Sequence, residues 1–344
     1  MRCLCGIRQK SLAPVRFGFL LTACSMILIA GIPSEEPVAR VIESAENLGI
    51  AHVVFSQRDA LHYELQVDFS GQQLRAELRL GGQRIDLMQL QGVYFRMMDS
   101  ASLPENRAVA PFGLPAPKLQ RLRFVNDLFA QLADVLPCRV LNRPHHMGSN
   151  FSKLYQLAFI REAGLEVPAS LLTNEPEAVA DFEDVHGPLI YKSISGVRSI
   201  VKPLTIDEKS RLHHLRSLPT QFQECLQGHN VRVHVVGDAL FAARISSESV
   251  DYRYASHDGN RTTMQPVDLP QDVAEKCSRL ARALRLPLCG IDLFETEGGD
   301  FFCFEANPCP GYSYFQNEAG LPISDAIVRY LEYGTAQAPN GANN

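Results

Sequence analysis

The sequence predicts a mixed α/β (α+β) chain, in which a small unit with a strand–helix–strand opening precedes a larger part built from antiparallel hairpins. Three observations predict it. Residues 26–55 read as apolar strand, amphipathic helix and apolar strand. Residues 230–245 and 289–307 each read as two strands joined at a glycine. The 344 residues, 46% apolar and 21% charged, are enough for two or three globular cores.

The first residues carry a conflict. Arg2, Arg8, Lys10 and Arg16 precede an apolar run over residues 17–32, and Leu21-Thr22-Ala23-Cys24 resembles a bacterial lipoprotein cleavage site. The run is short for a membrane span. Against export, Met26-Ile27-Leu28-Ile29-Ala30 reads as the first buried strand, and cleavage at Cys24 leaves no tether before it. Residues 1–25 are therefore expected to be an extension, with Met26 as an alternative start and an exported lipoprotein as the competing reading. The 9 cysteines are dispersed without a C-x-x-C pair, which favours reduced thiols in a cytoplasm. A net charge of −5 implies no general affinity for nucleic acid. No membrane partner is expected.

After the first strand, Val38, Ile42 and Ala45 fall on one face of a helix that stops at Leu48-Gly49, and a second strand follows. Residues 63–69, 74–80 and 93–96 are short alternating segments punctuated by Gly71 and Gly81-Gly82. No G-x-G-x-x-G follows the first strand, so a dinucleotide site is unsupported. Arg96 ends a strand, where it could meet a ligand or solvent. Residues 104–117 are a proline-rich connection. Leu122, Val125, Phe129 and Leu132 give residues 119–136 an apolar helical face.

A second unit is expected from residue 137. A helix over residues 152–163, stopped by Gly164, carries Lys153 in its first turn. The helix dipole disfavours a cation there, which points to an anionic partner or to a solvated lysine. His145-His146 has no matching ligand spacing and reads as loop. A strand at residues 189–192 delivers Lys192 into a hydroxyl- and glycine-bearing turn, residues 193–199, that includes Arg198. Backbone N–H groups, hydroxyls and a cation can cradle phosphate oxygens, although many hairpins look the same. Residues 220–226 read as a segment closed by a turn at Gln227-Gly228. The next strand places Asn230, Arg232 and His234 on one side, its return brings Arg244, and Asp251 and Arg253 follow in a polar loop. Val273, Cys277, Leu280 and Leu284 stripe a helix over residues 270–286. Ser324 is expected to cap a last helix ending at Tyr333, with a disordered tail over residues 335–344.

The hairpin over residues 289–307 is the most informative stretch. A two-residue turn at Gly298-Gly299 sets Glu297 opposite Asp300, and counting outward sets Asp292 opposite Glu305. Asn307 points the same way. The two carboxylates would repel without a cation between them, and hard oxygen ligands on neighbouring strands suit Mg²⁺. The bland alternative is a surface hairpin with solvated acids, and a one-residue bulge would undo the register.

A lysine at a helix start, a lysine on a strand before a glycine loop, a hinge, arginines on two strands and then D…E-x-N form an order that resembles the ATP-grasp superfamily over roughly residues 137–334. The nearer likenesses are the ribosomal-protein glutamate ligases and the ligases that make ω-ester or ω-amide crosslinks in microviridin-type peptides (graspetide synthetases). Tyr94-Phe95-Arg96-Met97-Met98, residues 245–253 and Glu305-Ala306-Asn307-Pro308 look most like the second group.

The resemblance implies a pre-ATP-grasp α/β domain at residues 26–136 and an ATP-grasp domain at residues 137–334. Residues 137–220 would include the lid and residues 221–334 the C-terminal core. It implies that Lys153 and Lys192 bind phosphate, and that Ser193, Ser195, Gly196 and Ser199 belong to the mobile loop over the β- and γ-phosphates. Gln223, Glu224, Cys225 and Leu226 match the adenine hinge. Arg232 and Arg244 match the catalytic arginines that face the acyl phosphate, and Asp292, Glu305 and Asn307 match the metal ligands. Arg198, Asp251 and Arg253 are substrate-site candidates. Where many relatives carry aspartate, this chain has Asn230.

The implied reaction is an ATP- and Mg²⁺-dependent ligation of a carboxylate to an amine or hydroxyl through an acyl phosphate. One or two magnesium ions are expected, with Mn²⁺ as an alternative; a peptide is a candidate substrate, and a homodimer is compatible. Catalysis of this kind is mainly positioning and electrostatics. The competing class is an ATP-binding or peptide-docking module without turnover.

Overall fold

The computed structural model describes residues 25–71, 73–103, 116–194, 201–247 and 262–337. All but the last residue of the expected N-terminal extension lies outside them.

Ile27–Gly31 (β1) is wholly buried and is joined by Glu36–Asn47 (α1) to the parallel strand His52–Ser56 (β2). On α1, Val38, Val41 and Ala45 are the buried apolar side chains of the shared core; Ile42, expected among them, is only partly buried. A meander follows: Glu64–Asp68 (β3), Arg75–Leu80 (β4) and Gln83–Asp86 (β5). The last strand was not anticipated. Gly81 and Gly82 do more than punctuate, because their φ values of +57° and +82° suit a two-residue hairpin turn that returns the chain at once.

Gly92–Phe95 (β6), the helix Ala116–Val135 (α2) and Arg139–Leu141 (β7) complete a parallel sheet of order β2-β1-β6-β7. Its last strand comes from beyond residue 136, so the sheet crosses the junction expected between the two units. Phe129 and Leu132 of α2 cover one side of it, together with the meander.

Next come Lys153–Glu162 (α3), Ser170–Thr173 (β8), Pro176–His186 (α4), Leu189–Ser193 (β9), Lys202–Pro203 (β10), the single turn Ile206–Lys209 (α5) and Thr220–Glu224 (β11). The strands form an antiparallel sheet, β10-β9-β11-β8, over a small core of its own made of Val179, Leu189, Leu215 and Phe222. Strand β8 was not anticipated, because its four half-buried residues show no alternation.

A five-stranded antiparallel sheet closes the chain. Its strands are Gly228–Val236 (β12), Ala239–Ser247 (β13), Thr262–Pro266 (β14), Leu288–Thr296 (β15) and Phe301–Asn307 (β16), in the order β14-β13-β12-β15-β16. The helix Gln271–Ala283 (α6) packs on one face with α3, through Val273, Cys277 and Leu280. Ser313–Ala319 (α7) and Ile323–Tyr333 (α8) cover the other face.

Helix α8 is the keystone of the molecule. Ile323, Ile327, Val328 and Leu331 share one core with Ile27, Ile29 and Tyr94 of the parallel sheet and with Val236 and Ile245 of the five-stranded sheet. Ser324 does not cap this helix as expected. Pro322 holds the cap position, and Ser324 is buried inside the first turn, accepting a 2.7 Å hydrogen bond from the Ser44 hydroxyl. Nor are residues 335–337 a free tail: the Thr335 hydroxyl and the Ala336 N–H both donate to Asp238 at 2.7 Å, and Ala336 is buried.

Candidate active site

The hairpin of β15 and β16 reaches its expected pairing by an unexpected route. The Thr296 N–H donates to the Asp300 carbonyl at 2.9 Å, so the loop holds three residues, with Gly299 at φ +87°. Phe301 therefore faces Glu295, one residue off the two-residue count. A bulge between the Leu293 and Asp292 pairs then absorbs Phe304 and restores the count, and Asp292 faces Glu305 after all. The bulge has a second effect. Cys303 and Ala306 both enter the core beneath the sheet, so Phe304 and Glu305, consecutive in sequence, both line the cleft above it.

Burial, and then the charge of Asp292, push the Glu305 carboxyl above its ordinary range; Lys192, Lys153 and Arg232 pull it back. Asn307 follows on the same strand, and its side-chain oxygen accepts from the Cys309 N–H at 2.9 Å. Two opposed carboxylates and an amide oxygen fit a magnesium ion that takes its remaining ligands from phosphate and water. Among the described residues, no group of three or more His, Cys, Asp or Glu side chains is arranged to hold a metal by itself.

Arg232 binds Asp292 through Nη1 and is only 6% exposed. Its position depends on Gly290, which the sequence reading passed over. A Cβ at residue 290 would lie 2.2 Å from Arg232 Nη2 and 2.7 Å from Pro310 Cβ, so only glycine lets the guanidinium cross the strand.

Ser152 caps α3 by accepting from the Tyr155 N–H, which places Lys153 at the first helical position. One turn on, buried Gln156 clasps the edge strand. Its Nε2 donates to the Ala306 carbonyl at 2.6 Å, and its Oε1 accepts from the Ala306 N–H at 3.3 Å. Ala306 lies between Glu305 and Asn307, so the clasp fixes the helix bearing Lys153 against the strand bearing both oxygen ligands. Lys192, on β9, holds its ammonium 5.9 Å from the Phe304 ring centroid.

Lys153, Lys192, Asp292 and Glu305 line one open cleft of about 940 Å³, solvent at its mouth included. Gln223, Glu224, Cys225 and Leu226 line it too, where β11 runs into β12. The Glu224 carboxylate accepts from the Ala169 N–H at 2.7 Å, and the Cys225 N–H bonds the Pro188 carbonyl, which fixes the backbone of this stretch. Ile190, Val201, Ile245 and Leu293 supply apolar walls. Asn230 is also on the lining. Ser193 ends β9 as an exposed residue paired with Thr220. Ser195, Gly196, Arg198, Ser199, Asp251 and Arg253 lie outside the described residues.

Arg244 is not brought to this site, which corrects the expectation that it faces the acyl phosphate. It pairs with Val231, whereas Arg232 pairs with Ala243, so the two arginines project from opposite faces of the sheet. Arg244 bonds Glu295 through Nε at 3.0 Å and Nη2 at 2.6 Å. Arg96, left open between ligand and solvent, is not a solvated side chain: it donates to Glu35 at 2.9 Å and to the Pro310 carbonyl at 2.9 Å, tying the parallel sheet to the loop after Asn307. Asn142 reinforces that tie through the Leu288 and Pro308 carbonyls, both at 2.6 Å.

Residues 151–331, more than half of the chain, match the RimK-like ATP-grasp domain. The chain belongs to the RimK-like ATP-grasp family. It is 27% identical over 241 residues to a probable alpha-L-glutamate ligase of Mannheimia succiniciproducens, covering 67% of this chain and 78% of that one. It is similar to the ATP-grasp ligase PsnB complexed with a phosphomimetic variant of a minimal precursor, Mg and ADP, with a TM-score of 0.73 and 26% identity over 90% of this chain and 98% of PsnB. It shares the fold of the macrocyclase MdnC of Microcystis aeruginosa, solved with the precursor peptide MdnA, at a TM-score of 0.71 and 24% identity over 89% and 99% of the two chains. This RimK-like protein is thus an ATP- and Mg²⁺-dependent carboxylate–amine ligase with an ATP-grasp fold, as its motif order implied. Among the described residues no helix is long and apolar enough to cross a membrane.

Proposed function

We propose that this RimK-like ligase activates a carboxylate of a peptide substrate and joins it to an amine or hydroxyl group of a peptide. The observation that carries the ligase chemistry is the convergence of Lys153, Lys192, Asp292 and Glu305 at a single cleft beside the stretch Gln223 to Leu226, with Arg232 bound to Asp292. The peptide part of the reading is supported by likeness to PsnB over nearly all of both chains, N-terminal sheet included.

Lys153 and Lys192 hold phosphate oxygens. Ser193, with Ser195, Gly196 and Ser199, belongs to the loop that covers them. The backbone from Gln223 to Leu226 meets adenine between the apolar walls. Asp292, Glu305 and Asn307 would hold magnesium, which when bound would neutralise charge on the phosphates. A carboxylate oxygen of the substrate attacks the γ-phosphorus, the bond to the β-phosphate oxygen breaks, and ADP leaves. Arg232 faces the acyl phosphate so formed. The nucleophile then attacks the acyl carbon, loses its proton and expels phosphate. Arg198, Asp251 and Arg253 are candidates for holding the peptide. The cytoplasm, where ATP is abundant, is the compartment we infer, and free thiols such as those of Cys277, Cys289 and Cys303 suit it.

The test uses Mg-ATP with synthetic peptides that carry glutamate or aspartate together with lysine, serine or threonine. ADP release with loss of one water from the peptide mass is expected. ADP release only with free glutamate, and a peptide heavier by one glutamate residue, would replace peptide crosslinking with amino-acid addition. Tight ATP binding without turnover, unaffected by Asp292→Asn, would return the protein to the class of binding modules.

A further inference from the structure

The walls of the Arg232 site include a residue that no step above uses. His234 lies two positions along β12, on the same face as Arg232, and is completely buried. Its cross-strand partner is Gly290, so no side chain separates it from the guanidinium on that side. Arg232 Nε–H points at His234 Nε2 over 3.5 Å. The Phe315 ring closes the site, 4.9 Å from the imidazole and 5.8 Å from Arg232 Cζ. The other imidazole nitrogen, Nδ1, is buried without a hydrogen-bond partner among the described residues.

We propose that His234 is a positioning residue for the ligase: as a neutral ring protonated on Nδ1, it accepts the Nε–H of Arg232 and so sets the plane in which Nη1 meets Asp292. The inference rests on the role given to Arg232 above. Its logic is energetic. A buried polar atom without a partner destabilises the fold, and an apolar residue would fill this position better. The ring is accounted for if its useful atom is the other nitrogen, which is the one aimed at Arg232. Burial, and then the Arg232 charge, hold the imidazole pKa well below 6.5, so the acceptor lone pair stays available.

Two measurements test this. In the ligand-free protein, nitrogen NMR of the imidazole should show the neutral Nδ1–H tautomer; the Nε2–H tautomer would overturn the inference, because that nitrogen could not accept. His234→Leu should melt close to wild type, because removing the unpaired Nδ1–H offsets the loss of an acceptor for the Arg232 Nε–H. Its kcat for ADP release, with Mg-ATP and a synthetic peptide that supports turnover in the assay above, should fall roughly tenfold at unchanged KM for ATP. His234→Gln, which offers an acceptor oxygen, should recover most of that loss. In an Arg232→Ala background His234→Leu should cost nothing further. Wild-type kcat in His234→Leu beside an impaired Arg232→Ala protein would overturn the role of His234 alone. Wild-type kcat in Arg232→Ala would overturn the role of Arg232, and that of His234 with it.

Discussion

The five-stranded sheet carries two arginine–carboxylate pairs. Each joins an arginine to a carboxylate, Arg232 to the directly opposed Asp292 and Arg244 across β12 to Glu295, and the sequence offers both arginines for one role. Their surroundings differ. The Arg232 side chain is 6% exposed and enclosed by Gly290, His234 and Phe315, whereas that of Arg244 is 40% exposed on the opposite face. A desolvated guanidinium keeps its full electrostatic effect on a neighbouring charge, and a hydrated one loses most of it to water and salt. The side of the sheet, more than the residue type, decides which arginine can act on a developing negative charge.

The largest effect should come from splitting the two pairs. Arg232→Ala should lower ADP release by about a hundredfold or more, the loss expected when a preorganised charge is removed. It should also destabilise the fold by about 1–3 kcal/mol, because Asp292 is left without its partner. Arg244→Ala should leave turnover unchanged and stability within about 1 kcal/mol. Equal kinetic losses in the two variants would erase the distinction. Gly290→Ala sharpens it by displacing Arg232 without touching its chemistry. We expect a tenfold to hundredfold loss of kcat, and melting should show about 1–3 kcal/mol of strain. Gln156→Ala acts on the other side of the cleft. Losing the clasp on Ala306 should cost about 1–2 kcal/mol in chemical denaturation and raise KM for ATP, as Lys153 loses its registry with Glu305.

The smallest effect concerns pH. The folded pKa of Glu305 is raised above 4.5, so the folded, metal-free protein holds a proton that the unfolded chain gives up first. That contribution is fully present below pH 4.5 and is lost as pH rises through the folded value. Glu305→Gln should therefore flatten the fall of metal-free stability across that window. A melting curve with the wild-type slope would show that Glu305 is not under this strain.

Much of this was legible in the chain. Ser152 before Lys153, the strand that delivers Lys192 and the pairing of Asp292 with Glu305 are local patterns, although the last was reached by two offsets that cancel. Arg244 was legible too. Counting outward from the turn at Gly237-Asp238 sets it opposite Val231, and so on the face away from Arg232. What could not be read are the contacts between distant segments. Gln156 meets Ala306 150 positions away and Asn142 meets Leu288 146 positions away. Each is an ordinary amide in its own neighbourhood, and nothing local marks its partner. Gly290 looks like any glycine in a strand until the guanidinium beside it is placed.

The core shared through α8 has a consequence for synthesis on the ribosome. Ile27 and Ile29 pack in the same core as Ile323, Ile327 and Leu331, which emerge long after them. Domains commonly fold in turn as they leave the tunnel. Here one face of the parallel sheet has only α1 to cover it until α8 has been made, and the small sheet of β8 to β11, which has its own core, is free to fold earlier. Nascent chains halted after residue 320 should therefore resist protease in the β8–β11 sheet and be cut in β1 and β6. Extending them past α8 should protect both regions together.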